Sequence, residues 1–303
     1  MYSAVPFLIA VVVTAFLAAL ALTLVPSYRA GMTRRFSASV GLTLPAALEP
    51  AVTARLANRI RGAAIGGAVF AVAALLLVEA GIPVGSDSDF SSFVIVGGAF
   101  VGTALGTGVA SMSGGLKRSD DRVRVARAQA VDVPDYVAPL ELAGARIAVA
   151  LAAVGAVVAV VSAASPGLIA LAAGLAAAAV VALVVFELVS RRIVRRPQPV
   201  GTPVELAWDD ALRASLLRDI ITAPLALGAY ALFLGGIALS AALAASIGGV
   251  PGTVVQVAII GILLLAAVAL VVVAIASSPQ RHFLRRLWPN LGPRPQPTAT
   301  DAA

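Results

Sequence analysis

Residues 167–189 read GLIALAAGLAAAAVVALVVFELV, with Pro166 in front and Arg191, Arg192, Arg195 and Arg196 close behind. Glu187 is the one charge in the run. A helix needs roughly 20 apolar residues, each rising 1.5 Å, to cross a hydrocarbon core of about 30 Å. The run has that length and lacks the every-second-residue alternation of a barrel strand. No water inside a bilayer satisfies backbone N–H and C=O groups, so the stretch predicts a spanning helix.

Six more stretches read the same way, at about 5–25, 63–81, 93–112, 146–164, 222–247 and 254–276. Together they predict an all-α, polytopic transmembrane bundle of seven spans over residues 1–288. Residues 289–303, with Pro289, Pro293, Pro295 and Pro297, predict a disordered tail. Composition agrees: 60% of the 303 residues are hydrophobic, 12% are charged, and the mean hydropathy is +0.99, outside the soluble range.

The net charge of +7 would suit a nucleic-acid binder, but the positions of the charges argue otherwise. All 22 basic residues lie in four segments: 26–62, 113–146, 190–221 and the stretch after 276. The intervening turns hold no lysine or arginine, and the loop at 82–92 carries only Asp87 and Asp89. Basic loops next to span ends are retained in the cytoplasm. The pattern therefore predicts an external amino terminus, an internal carboxy terminus and no nucleic-acid partner. Anionic lipid head groups are the expected contact of the inner face, along with a membrane or cytoplasmic protein partner. Lys117 is the only lysine among 22 basic residues; with the alanine and valine bias this predicts a GC-rich bacterium and its cytoplasmic membrane. An uncleaved first span is preferred to a signal peptide, because Met1-Tyr2-Ser3-Ala4 has no basic region.

Polar residues inside a bilayer are the first functional suspects. Glu79, near the outer end of the second span, is a candidate proton or cation site, with a carboxylate reaching the interface as the plainer reading. In the third span Gly98, Gly102 and Gly106 repeat every four residues, a row that lets helix backbones approach closely. Thr103, Thr107 and Ser111 run beside it and predict either a polar pathway or hydroxyls bonded to their own helix. Ala170, Gly174 and Ala178 predict a similar packing face on the fifth span. Glu187 and Arg191, and Asp209 and Arg213, each four apart, predict inner-face ion pairs. Leu206, Leu212, Leu216 and Ile220 suggest a face resting on the inner leaflet, with Trp208 and Trp288 in the interfacial belt. Pro45 and Arg59, Pro134 and Arg146, and Pro203 and Arg218 repeat a proline followed by an arginine at a span's entrance.

Residues 208–213, Trp208-Asp209-Asp210-Ala211-Leu212-Arg213, resemble an inner-loop run in uncharacterised multi-pass membrane proteins of high-GC Gram-positive bacteria. The resemblance covers this run alone and implies no activity.

With no cysteine, disulfides, thiolate metal sites and cysteine nucleophiles are excluded. His282 is the only histidine, so no histidine metal cluster or intramembrane serine–histidine pair is available. Lys117 lies in a loop, which excludes a retinal Schiff base. No cofactor and no catalytic constellation are expected. The sequence points to a non-catalytic accessory, scaffold or regulatory membrane component. The alternative is a small-solute transporter or permease with the third span lining the path.

Overall fold

The computed structural model describes residues 4–80, 88–113, 131–162, 164, 166–196, 202–246 and 282–289. Every regular element among them is a helix: α1 (Ala4–Leu22), α2 (Pro26–Val40), α3 (Glu49–Glu79), α4 (Ser88–Ser113), α5 (Val133–Tyr136), α6 (Pro139–Val161), α7 (Pro166–Val194), α8 (Pro203–Ser246) and α9 (His282–Leu287). Prolines mark the entrances: Pro26, Pro50, Pro134, Pro139, Pro166 and Pro203 lie in the first two positions of their helices. There the missing N–H has no intrahelical partner to lose, and the fixed φ is already helical. At α8 the start is reinforced by a capping box. The Thr202 N–H donates to Glu205 Oε2 at 3.0 Å, and the Glu205 N–H donates to Thr202 Oγ1 at 3.3 Å.

Among the described residues five helices are long and apolar enough to cross a membrane: α3, the Ile95–Met112 part of α4, α6, α7 and α8. A sixth crossing is counted if α1 and α2 are taken as one bent span. The expected seventh span at 254–276 lies outside the described residues, as do 114–130 and 290–303. The first span also differs from its expected form. Rather than running on to residue 25, the helix stops at Leu22 and the chain turns through 87° into α2. The cause is local. Pro26 disfavours helical geometry at the preceding residue, and Val25 is extended at φ −78°, ψ 118°. Thr23, Leu24 and Val25 close the end with backbone bonds back to the third residue before each. At the other end of α2, Gly41 takes φ 79°, the left-handed turn that glycine adopts without a steric penalty.

Neighbour contacts set the helix directions. Gly67 of α3 lies against Phe16 of α1, and Gly62 and Ala74 of α3 lie against Gly106 and Gly98 of α4. Both pairs are antiparallel. Gly97 of α4 meets Tyr230 of α8, again antiparallel, whereas Ala148 and Gly155 of α6 meet Gly228 and Ala231 of α8 in parallel. The apolar helices thus alternate in direction, as successive crossings must. The starts of α3, α6 and α8 and the ends of α4 and α7 share one end of the bundle, called here the arginine-rich end.

The described residues form two hydrophobic cores. One fills the space between the spans, with Ile95, Val101, Ala152, Ala172 and Leu234 at its centre. Large apolar side chains on the outer surface, such as Val69, Phe100, Val109 and Leu188, are exposed, as expected where lipid is the solvent. The second core lies at the arginine-rich end and includes Val52, Tyr136, Phe186, Trp208, Leu217 and Phe283. Here α2, α5, α9 and the starts of α3 and α6 close around the first half of α8. At 44 residues, α8 is about 66 Å long at 1.5 Å per residue, roughly twice the hydrocarbon thickness. The expected 222–247 span is its second half. The first half does not rest on a leaflet: Ala207, Trp208, Ala211, Leu212, Leu217 and Ile220 are all buried. It is the centre of a folded cap.

Candidate functional site

The glycine row of α4 meets a second row that the sequence reading missed. A Cβ placed on Gly102 would collide with the Gly66 carbonyl oxygen, and one on Gly106 with that of Gly62. Reciprocally, Gly62 and Gly66 face Gly106 and Gly102. The two backbones are in contact, which only glycine permits, and this replaces the hydrophobic drive that lipid cannot supply. The four-residue spacing of Gly62 and Gly66 was the available signal. The fifth-span face is corrected: Ala170, Gly174 and Ala178 are exposed, with nothing within 4 Å of a Cβ on Gly174. The buried face of α7 carries Ala172, Ala176 and Ala179. In a span so rich in alanine, small-residue spacing cannot choose a face.

At the boundary between the two cores, the entrance arginines each meet a carboxylate from a neighbouring helix. Arg59 of α3 lies 2.7 Å from Asp219 of α8, Arg218 of α8 lies 3.4 Å from Glu141 of α6, and Arg146 of α6 lies 2.6 Å from Glu187 of α7. The pairs link α3, α8, α6 and α7 in series. Glu187 therefore pairs across helices with Arg146, where spacing pointed to Arg191 on its own helix. Asp219 is 3% exposed and also accepts a 2.6 Å bond from Ser111 Oγ. Asp219 went unremarked in the sequence because its partners lie on other helices. Arg61 Nε donates to Thr23 Oγ1 at 3.0 Å, fastening the α1–α2 elbow to α3.

Below this layer the 208–213 run organises the cap. Trp208, fully buried rather than interfacial, donates from Nε1 to the Thr43 carbonyl at 2.9 Å and lies tilted against Phe36. Arg213 meets Asp209 at 2.9 Å. It also donates from Nη1 to the Arg196 carbonyl at 2.9 Å, with the Ile193 and Val194 carbonyls at 3.5 Å. The Ile193 carbonyl also accepts the Arg196 N–H at 3.2 Å; Arg213 adds a donor to the last turn of α7, where intrahelical donors run out and a cation complements the helix dipole. Asp210, fully buried, accepts from Tyr136 Oη and from Trp288 Nε1, each at 2.8 Å, holding α5 and the segment after α9 to α8. The Leu212 carbonyl accepts from Arg55 Nη2 at 3.1 Å, and Ala211 is 2% exposed. Arg286 with Asp135 at 3.1 Å and His282 Nε2 with the Pro134 carbonyl at 2.8 Å complete the α9–α5 contact.

The pathway candidates are placed as follows. Thr103 and Thr107 donate to the Ala99 and Thr103 carbonyls of their own helix at 2.8 and 2.7 Å, while Ser111 belongs to the Asp219 layer. Glu79 is exposed at the last position of α3. An open pocket of about 500 Å³ lies where α2 turns into α3, lined by Thr33, Arg34, Ser37, Thr43 and Glu49 among others. Two of its hydroxyls are engaged: Thr33 with the Arg29 carbonyl and Thr53, Ser37 with the Leu42 carbonyl.

Apolar helices of spanning length around a close-packed core define a multi-pass helical membrane protein. No protein-family model, curated protein or solved structure matches the chain.

Proposed function

We propose that this protein is a non-catalytic component of a bacterial cytoplasmic membrane, a scaffold or regulatory subunit that engages its partners through the folded cap. The supporting observation is the use made of the 208–213 run: its polar side chains bond within the fold and hold α2, α5, α7 and the C-terminal segment in one body. Rigid, internally bonded charge suits a platform. The hydroxyls of α4 support the same reading, since Thr103 and Thr107 bond their own helix and the glycine face beside them is filled by α3. The arginine distribution supports a cytoplasmic cap and an external amino terminus, because basic loops next to span ends are retained inside.

Reconstitution into proteoliposomes tests this. Flux of ions and small neutral or charged solutes is expected to equal that of protein-free vesicles. A saturable flux that the Thr103→Val/Thr107→Val double variant abolishes would replace the scaffold reading with a permease whose path runs along α4.

A further inference from the structure

The outer surface of α7 is a single stripe that changes character at one level. Val181, Val184, Val185 and Leu188 are exposed, at 61, 51, 39 and 64%. The same face continues one turn later as Arg191 and Arg192, then Arg195 and Arg196, all exposed. Positions 181, 185, 188, 192 and 195 step by four and three residues, so they stay on one face of a 3.6-residue helix. Phe186, Ser190 and Ile193 are buried on the opposite face.

The depth of these arginines follows from helix geometry. From Leu168 to Leu188 α7 rises about 30 Å, the thickness of the hydrocarbon core. Arg191 and Arg192 then fall roughly 5 Å beyond it, within the headgroup layer of about 5–8 Å on each side, and Arg195 and Arg196 roughly 11 Å beyond it, from where their long side chains reach back to the phosphates. No carboxylate among the described residues pairs with any of the four. The nearest acid along the helix, Glu187, is held by Arg146. Arg191 and Arg195, like Arg192 and Arg196, are like charges one turn apart, an arrangement that repels without a counter-anion. At the same end of the bundle Arg55, Arg59, Arg61, Arg146, Arg213 and Arg218 are bonded within the protein.

We infer that the exposed end of α7 is a binding surface for anionic phospholipid, with the four guanidinium groups taking lipid phosphates of the leaflet at the arginine-rich end. Arginine suits this role because its planar fork donates to phosphate oxygens in pairs. The inference rests on the membrane placement within the proposed function and is independent of whether the cap docks a protein.

The test uses the full chain purified in neutral detergent, with its thermal unfolding midpoint measured against added phosphatidylglycerol, phosphatidylcholine, inorganic phosphate or a soluble polyglutamate. Phosphatidylglycerol is expected to raise the midpoint well above phosphatidylcholine, and high salt is expected to erase the difference. Its apparent affinity should fall about fivefold for each arginine replaced, given the usual strength of one basic residue at an anionic surface. The variant Arg191→Gln/Arg192→Gln/Arg195→Gln/Arg196→Gln should respond alike to the two lipids, while Arg34→Gln/Arg35→Gln on exposed positions of α2 should keep the preference. Equal responses of the unaltered protein to both lipids, a preference that survives in the α7 variant or at high salt, or an equal loss in the α2 variant would overturn the inference. So would a matching shift from phosphate or polyglutamate alone, which would identify a general anion or acidic-protein site. If the α7 variant does not fold, Arg191→Gln/Arg192→Gln and Arg195→Gln/Arg196→Gln carry the same test in two halves, and each is expected to lose part of the preference; a full preference in both would overturn the inference. A failure here leaves the flux experiment unaffected, so the two readings fail separately.

Discussion

Replacing a glycine by alanine should have opposite effects at two positions in the spans. At Gly106 the new methyl group would collide with the Gly62 carbonyl oxygen and lie 2.9 Å from the Gly66 Cα. Both obstacles are backbone, so α3 and α4 must move apart along the glycine contact. Overpacking of this kind costs about 1–3 kcal/mol. Alanine recovers about 0.5–1 kcal/mol through its lower conformational entropy cost in a helix, which leaves Gly106→Ala destabilising by about 1 kcal/mol at the middle of the two ranges. At Gly174 nothing lies within 4 Å, so only the helix term remains. Gly174→Ala should be neutral or stabilising by up to about 1 kcal/mol, toward the lower end where the denatured chain keeps its helix in a micelle. Unfolding followed by circular dichroism as sodium dodecyl sulfate is titrated into a mild detergent measures both variants. Shifts of the same sign, or an unchanged midpoint for Gly106→Ala, would refute the claim that the glycine rows are the α3–α4 contact.

The ion pair at the core boundary should be asymmetric, because Arg59 is 41% and Asp219 3% exposed. Arg59→Gln strands a buried carboxylate and should cost about 2–3 kcal/mol, below the full cost for a deeply buried pair; Asp219→Asn frees an arginine that can turn to water and should cost about 1 kcal/mol. Equal costs in the same titration would contradict this. Asp210→Ala removes both acceptors, leaving the Tyr136 hydroxyl and the Trp288 N–H without their partner, and should loosen Trp288, raising iodide quenching of tryptophan fluorescence and costing about 2–3 kcal/mol; unchanged quenching would show that the clasp lies elsewhere. Because the chain has no cysteine, Ser39→Cys and Ala80→Cys report topology without background. In intact cells an impermeant thiol reagent should label Ala80→Cys and spare Ser39→Cys, and the reverse would invert the proposed orientation.

The spanning helices were legible because length and apolarity are local properties: residues 146–164 and 167–189 fall largely within α6 and α7. The cap was not. Trp208 bonds to Thr43 and Asp210 to Trp288, partners that no periodicity within residues 206–220 can reveal. A polar residue whose partner is distant in sequence looks solvated when read locally, which is why this half of α8 resembled a helix lying on a leaflet. The 87° elbow was missed for a different reason: Leu24 and Val25 are apolar enough to extend the first span, and only the restriction Pro26 imposes on Val25 ends it. Of the candidate site residues, the four-residue spacing of Asp209 and Arg213 named a contact within one helix. It could not show that Arg213 also closes the end of α7.

The bonds that assemble the cap order its formation in time. Trp208 to Thr43 spans 165 residues and Arg55 to Leu212 spans 157, while Asp210 reaches back 74 residues to Tyr136 and forward 78 to Trp288. As the chain leaves the ribosome, α3, α4, α6 and α7 enter the membrane before the helix that organises their ends exists. The carbonyls at the end of α7 wait for Arg213, and Asp210 stays half-satisfied until Trp288 has been made. Contacts this distant in sequence form late, so a ribosome stalled shortly before residue 288 would hold inserted spans beneath an open cap.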